Sequence, residues 1–598
     1  MVASTSQKLN YSEVFGGMEE VIRRYERYQS TGNRTILFVT NDGDECSAAV
    51  FRMALLPALN HFGLPYRVED LSKLGVPSNM VEAAAIVLAH NGVAASLTEE
   101  QWALIVAASD NGAGVASFDG ELWRAKPDIQ RFFGGSSMTA AEIDEIRIPD
   151  NAHYIAQMQT SGQMHRMIKP VAASLPDGII HGAVTVAKDS SGRMLVSAIP
   201  EDAGDTARRG RRAALYFSPV LWTRQHFGHA AGLDDLLWRC LVWVARKPFA
   251  TLMMPPFAVC RVDDAVGSYD RFDYVKVLNK YNWVPNIGLF VDDIDDECAA
   301  KITYCHDNKM AEFSAHSFHE LGEPQPDQIY IRHDGSEYTF RQLKEHFARL
   351  DRFYGSIGVT PSRTVNIHYD ELGLNSLPFL LNRKQTYMMA LIPPGVHWYA
   401  NSYSWEPYPY GHQGFNYGPM DPDQRFWNAV AHHLGGYKTP DTGMGPGEFL
   451  GGCTTFNNES AATDIRKAIR RGADAVKLGI SSGFFGTLMT HEQRIAALKP
   501  EEWRAIIEGI HRELDGWHIV HRTYDQISEY CKDKARTRIT EAHFDPATSR
   551  LTVGLEGTAE HGMYYNIYRD EGGMVSCEIV HTAPFAGRLL CAVTEERL

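Results

Sequence analysis

The chain has 598 residues, 44% of them hydrophobic and 22% charged, with a formal net charge of −15 and a pI of about 5.9. At roughly 100 to 200 residues per domain, that length implies about three or four domains of ordinary globular composition. The acidic balance argues against a protein that grips nucleic acid by its phosphates, since that affinity comes from Lys and Arg displacing counterions.

The nine cysteines are scattered and form no CxxC pair, which points away from a disulfide scaffold or a thiolate zinc site. The N-terminus "MVASTSQKLNYSEVF" has no apolar h-region, and no run is long enough to span a bilayer. The chain as written is expected in the cytoplasm, or outside the cell if a leader was removed, with no membrane partner. The oligomeric state is left open.

Taken in order, "YSEVFGGMEEVIRRYERY" reads as an amphipathic helix. "RTILFVTND", "LPYRVEDL", "AAAIVLAH" and "AGVASFDG" read as strands, with "ECSAAVFRMALLPALNHFG" and "TEEQWALIVAASDNG" as helices between them. This alternation predicts a parallel sheet covered on both faces. Asn41, Asp42, Asp44 and Glu45 follow the first strand and could mark a ligand crevice at the carboxyl edge, although solvated turns read the same way. Cys46 lacks the surroundings of a nucleophile elbow and reads as a small buried residue at a helix start.

From 146 to 199 short alternating strands such as "HYIAQMQ", "GAVTVAKD" and "MLVSAIP" interrupt the pattern, which then resumes with "RAALYFSP" and the helix "LDDLLWRCLVWVARKPFA". Residues 1–250 therefore read as one α/β unit with a β-rich insertion. That unit resembles the flavodoxin-like, amidotransferase-type domains that accompany catalytic barrels in carbohydrate-active enzymes.

Residues 251–535 supply "FAVCRVDD", "VPNIGLFV", "AEFSAHSF", "TVNIHYDE", "TYMMALIPP", "AVKLGISS" and "WHIVHRT" as strands with helices between. About seven such units predict a distorted (β/α)7 barrel, a little short of the usual eight. Apolar runs end in Asp263 and Asp264, in His316 and His319, and in His368, Asp370 and Glu371. Strand ends bearing carboxylate and imidazole suggest a metal at a barrel rim. Residues 536–598 alternate as five short strands and read as a small β-sandwich.

The order of these motifs resembles the polysaccharide deacetylase superfamily, the chitooligosaccharide deacetylase homology domain typified by carbohydrate esterase family 4. The resemblance implies Asp263 as catalytic base, Asp264, His316 and His319 as ligands of a divalent metal, and His491 in "GTLMTHEQRI" as general acid. Arg363 would steady the base. The metal would be Zn2+ by default, with Co2+ or Ni2+ suiting the same ligands.

"HSFH" is one residue shorter than the family's H-[ST]-x-x-H. On a helix either spacing leaves both rings on one face, and His368 is the alternative ligand, with Glu371 a further site candidate. Trp398, Tyr399 and Trp405, in the aromatic segment "HWYANSYSWEPYPYGHQGFNY", could stack on sugar rings or simply pack a rigid loop. The implied reaction is metal-dependent amide hydrolysis, N-deacetylation of a carbohydrate. A small amide, cyclic imide or ureide as substrate, and a non-catalytic carbohydrate-binding protein, stand as alternatives.

Overall fold

The computed structural model describes residues 29–72, 80–201, 209–223, 226–267, 271–319, 328–332, 334–368, 372–389, 417–419, 423–429, 448–451, 464–571 and 573–594. It is a mixed α/β assembly with one large sheet and several small ones. The amphipathic helix expected before residue 29 lies outside the described residues.

In the N-terminal part, β1 (Ile36–Thr40), β2 (Tyr66–Asp70), β3 (Ala85–Leu88) and β4 (Gly114–Ser117) are parallel. Every residue of β1 is buried, as a strand with cover on both faces requires. Its alternation divides the cover: Ile36 and Phe38 enter one apolar cluster, Leu37 and Val39 another. The helix Glu99–Asp110 begins at a capping box built by Thr98 and Gln101. The helix Asp234–Val244 is buried along its whole length.

The insertion consists of β5 (Met138–Arg147), β6 (Met164–Pro176), β7 (Val184–Lys188) and β8 (Met194–Ile199), all antiparallel to their neighbours. β9 (Arg212–Leu215) then returns parallel to β4. The nine strands form one sheet in the order β2-β1-β3-β4-β9-β8-β7-β5-β6, so the insertion widens the parent sheet. It begins at Met138, ahead of the expected 146, because the run of exposed positions after Met138 hides the alternation of β5. "HYIAQMQ" is a 3-10 turn at Tyr154–Ala156 rather than a strand.

After β10 (Phe249–Thr251), the central part opens with β11 (Phe257–Ala265), β12 (Pro285–Phe290) and β13 (Glu312–Ser317). A second sheet holds β14 (Thr364–Asn366), β15 (Tyr387–Met389) and β17 (Trp427–Ala429) in parallel, with β16 (Tyr417–Pro419) antiparallel on its edge. β18 (Gly486–His491) returns to the first sheet, giving β13-β12-β11-β18 with β19 (Val520–His521) against the start of β11.

A closed barrel ladder is not formed among the described residues. Between β13 and β14 the contact is Asn366 N donating to Ser314 Oγ at 2.9 Å and Ser362 N donating to Phe313 O at 2.7 Å. The two parallel arcs still share one apolar cluster, in which Val262, Ile287, Phe313, Val365 and Met388 meet.

The C-terminal strands are β20 (Thr537–Asp545), β21 (Arg550–Ala559), β22 (Tyr564–Glu571), β23 (Met574–His581) and β24 (Phe585–Thr594). They make two antiparallel sheets, β20-β21-β24 and β10-β22-β23. The second borrows β10 from the end of the N-terminal part. No described helix is long and apolar enough to cross a membrane.

Candidate metal centre and active site

The site grows from the end of β11. Arg261 and Asp263 are two apart on a strand and so share a face. Arg261 Nε donates to Asp263 Oδ1 at 2.6 Å, and Asn366 Nδ2, from β14, donates to the same oxygen at 2.8 Å. Burial raises the Asp263 carboxyl, but the Arg261 guanidinium and His316 outweigh it and hold the group below its ordinary range.

Regular pleating would turn Asp264 away from this face. The β11–β12 register slips between Val262 and Ala265, and Asp264 takes a left-handed φ of 54°, a conformation that Asp tolerates better than most residues. A second slip lies opposite. Leu289 pairs with Ala315 and Phe290 with Ser317, leaving His316 as the extra residue of a bulge in β13. Both irregularities aim polar side chains into one space.

There His316 Nε2 lies 3.0 Å from Asp264 Oδ1, and His368 Nε2, just beyond β14, lies 3.7 Å from the same oxygen. The ligand atoms of Asp264, His316 and His368 all fall within 4.8 Å of one another. Phe290 turns toward both imidazoles, with ring centroids 5.7 and 5.4 Å away.

These residues fit a divalent ion. His316 Nδ1 lies 3.1 Å from the carbonyl of Asn366. With the ring's one proton given to that carbonyl, the Nε2 lone pair faces Asp264 Oδ1, a buried oxygen without a hydrogen-bond partner. Two lone pairs at that distance repel unless a cation lies between them.

Burial and the neighbouring His316 lower His368 to about 3, keeping its ring in the neutral form that a ligand needs. Gln328 places its amide group, Nε2 nearest, 3.1 Å from His368 Nδ1, and the amide's oxygen and nitrogen exchange places by a half-turn about the last side-chain bond. With the amide oxygen on that side it accepts the Nδ1 proton and leaves Nε2 to the metal. Burial raises the Asp264 carboxyl, and the close approach of His316 with the nearby His491 and His368 drives it far down instead.

His491 ends β18, directly beside Asp263 in the register. Its Nε2 is 3.9 Å from Asp264 Oδ2, and its Nδ1 is 3.0 Å from Glu448 Oε1. Arg494 Nε meets the same Glu448 oxygen at 2.7 Å. Burial opposes charge on His491, yet Glu448 and then Asp264 raise it to about 10. Glu448 in turn is lowered to about 2, since His491 and Arg494 overcome its burial. The next residue, Glu492, is buried and accepts from the main-chain N–H groups of Val266 and Gly267, both at 2.8 Å.

Of the residues expected at the site, Asp263, Asp264, His316, His368 and His491 come together. His319 does not join them as a ligand: its Nδ1 is 2.9 Å from Asp293 and its Nε2 3.4 Å from Asp292. The helical argument for a shared face fails because His316 ends a strand, where an odd spacing turns side chains apart.

Arg363 is also elsewhere. It precedes β14, so about three residues of strand, near 10 Å, separate it from the end that carries His368. Its guanidinium pairs with Glu529 and lies over the Tyr387 ring. Arg261 holds Asp263 in its stead. Glu371, Trp398, Tyr399 and Trp405 lie outside the described residues.

Arg261, Asn366, Glu448, Glu492 and Arg494 were not anticipated. Arg261 was recoverable from its spacing of two to Asp263, and Asn366 from its spacing of two to His368. Glu448 reaches the site through a single bridge to Met489, and no local motif marks it.

Comparison with known proteins adds little. No family model matches the chain, and no curated relative does. Among solved structures, one from Mycobacterium smegmatis, described as a candidate polysaccharide deacetylase, aligns with 47% of this chain and 96% of its own at 11% identity and a TM-score of 0.31. An α-galactosidase from Geobacillus stearothermophilus aligns with 76% of each chain at 8% identity and a TM-score of 0.20. At these scores neither likeness carries weight, and the functional reading stands on the site itself.

Proposed function

We propose that this chain is a metal-dependent amide hydrolase whose reaction is the N-deacetylation of a carbohydrate. The observation that carries the reading is the convergence of Asp264, His316 and His368 between two further groups, Asp263 and His491, held in opposite roles. A divalent ion on that triad, zinc being the natural choice and cobalt or nickel suiting the same donors, would supply Lewis acidity and make a water acidic enough to attack at neutral pH.

Asp263 is ionised and fixed through Oδ1 by Arg261 and Asn366. Its other oxygen takes the proton of the attacking water. His491, kept as the cation by Glu448, gives a proton to the departing nitrogen, without which an amine is a poor leaving group. The products are a carboxylate, acetate for an N-acetyl sugar, and a free amine.

Metal content by mass spectrometry on wild type and His316→Ala, with amine release from N-acetylated oligosaccharides on the same samples, tests the reading. One metal per chain, lost with activity in the variant, is the expected result. Metal without release redirects the substrate to a small amide, cyclic imide or ureide. No metal in reconstituted wild type overturns the reading and leaves a carbohydrate-binding protein.

A further inference from the structure

A second concave site lies in the N-terminal sheet, built by strands that the metal centre does not use. The chain leaves β1 for β2 on one side and returns to β3 on the other. Connections departing in opposite directions open a crevice beyond the carboxyl ends of the strands, where doubly wound sheets bind ligands.

A cavity of about 280 Å³ occupies that place, with Cys46 and Ser47 from the segment after β1 and His90 and Asn91 from the end of β3 in its wall. Asn41 N donates to His90 Nε2 at 3.1 Å, joining the two strand ends. β6, last in the sheet order, curls back over them: Ala173 bridges Phe217, and Ser218 N donates to Ala172 O at 2.9 Å. The cavity is thus closed on the far side by Val171 and by Ser218 to Val220.

The carboxylates expected to mark this crevice point to other tasks. Asp42 pairs with Arg52 at 2.6 Å, and Asp44 caps the following helix through Ser47 N. Cys46, expected to be buried, is exposed. Immediately beyond it the helix passes through a π-helical turn at Phe51–Leu55, an irregularity that recurs at functional sites.

The wall chemistry narrows the occupant. Among the described residues no Lys, Arg, Asp or Glu lines the cavity, and burial lowers both His90 and His226 toward the neutral ring. Asp42, Asp44 and Arg52 act on His90 and Lys169 on His226 from outside the wall, so an ionic ligand would lose hydration without touching a charged partner among the described lining residues. The polar groups are already aligned by their own chain. Asn91 Oδ1 accepts from Gly120 N at 2.9 Å, and His226 Nδ1 is 2.9 Å from Thr223 Oγ1. Between these groups the wall is apolar, from Val50, Pro170 and Pro219. Alternating hydroxyl, amide and imidazole groups with small apolar faces suit a ring that is hydroxylated at its edge. The volume lies just under the roughly 300 Å³ at which pockets for drug-sized ligands begin.

The geometry points to a binding site for one neutral monosaccharide ring at the β1/β3 crevice, separate from the metal centre. Its test is saturation-transfer NMR on the full chain with glucose, galactose and N-acetylglucosamine at millimolar concentration. The experiment is run on wild type, on His316→Ala and on Ser47→Trp, which fills the cavity. At least one sugar is expected to bind wild type and His316→Ala alike and to bind Ser47→Trp at least about tenfold more weakly. Val220→Trp, on the opposite wall, replaces Ser47→Trp if that variant fails to fold. Three results overturn the assignment: no sugar bound to His316→Ala, full affinity in the cavity-filled variant, or inorganic phosphate bound in preference to all three sugars.

Discussion

Asp263 and His491 are register partners on adjacent parallel strands. Neighbouring strands lie about 4.8 Å apart, so main-chain hydrogen bonds set the spacing between the proposed base and the proposed acid. Groups held by sheet rather than by loop keep their geometry through a catalytic cycle.

The ligand assignment separates three histidines. His316→Ala and His368→Ala are each expected to weaken metal binding at least about 100-fold, beyond the range seen when only an outer partner of a ligand is lost. His319→Ala, which removes a ring facing Asp292 and Asp293, is expected to bind as wild type does. Titration with a competing chelator measures all three.

Glu448→Gln changes the pH profile. Glu448 is the main group raising His491 to about 10, so its neutral replacement lowers that value. Activity that needs protonated His491 then fails at a lower pH, and the alkaline limb of kcat moves toward acid. An unmoved limb would remove His491 as the acid.

Glu492 holds the loop just beyond Asp264 through Val266 N and Gly267 N. Gly267 packs too closely for any side chain: a Cβ there would meet Cys298 Sγ and Phe272 at 2.7 Å. Glu492→Ala is expected to weaken metal binding about 10- to 100-fold, and Glu492→Gln, which keeps an acceptor oxygen, by less. Calorimetric metal titration separates the two.

The two arginines differ in the same way. Arg261→Met leaves Asp263 buried without its cation, and kcat is expected to fall about 100-fold or more. Arg363→Ala breaks a pair with Glu529 and a contact with the Tyr387 ring, both away from Asp263, and is expected to stay within about threefold of wild type. Steady-state kinetics on both variants decides which arginine serves the base.

Asp235 is fully buried in the helix Asp234–Val244. Burial raises it to about 7, even though Gln159 and Arg239 oppose the shift. Between about pH 4 and 7 the folded protein keeps a proton that the unfolded chain has lost, so stability falls as pH rises through that window. Asp235→Asn removes this slope. The fall in Tm between pH 5 and 8 is expected to be smaller in the variant by about 2 °C, and equal slopes would contradict the assignment.

How much was legible follows from what each signal depends on. β1 and β11 are continuous apolar runs, and their burial leaves little else for them to be. Asp264 and His316 were found because they end such runs. The means by which they meet, a left-handed φ and two bulges, leave no mark on periodicity. His319 was misplaced because a spacing of three was read with helical geometry at the end of a strand. Glu448 is brought in by tertiary contact alone, and β5 was missed because its exposed residues interrupt the period of two.

The C-terminal strands reach back along the whole chain. Ser30 Oγ donates to Ile539 O across 509 residues, and Asn566 Nδ2 reaches Met253 O across 313 residues. At synthesis rates of about 5 to 20 residues per second, the first of these contacts waits roughly 25 to 100 s for its partner to be made. The edge at Ser30 stands open on the ribosome for that time, and the edge at β10, where the contact spans 313 residues, for roughly 16 to 63 s. Early release of the chain, before β20 is translated, leaves them open for good, so truncated products should be found with chaperones or in aggregates rather than as a trimmed enzyme.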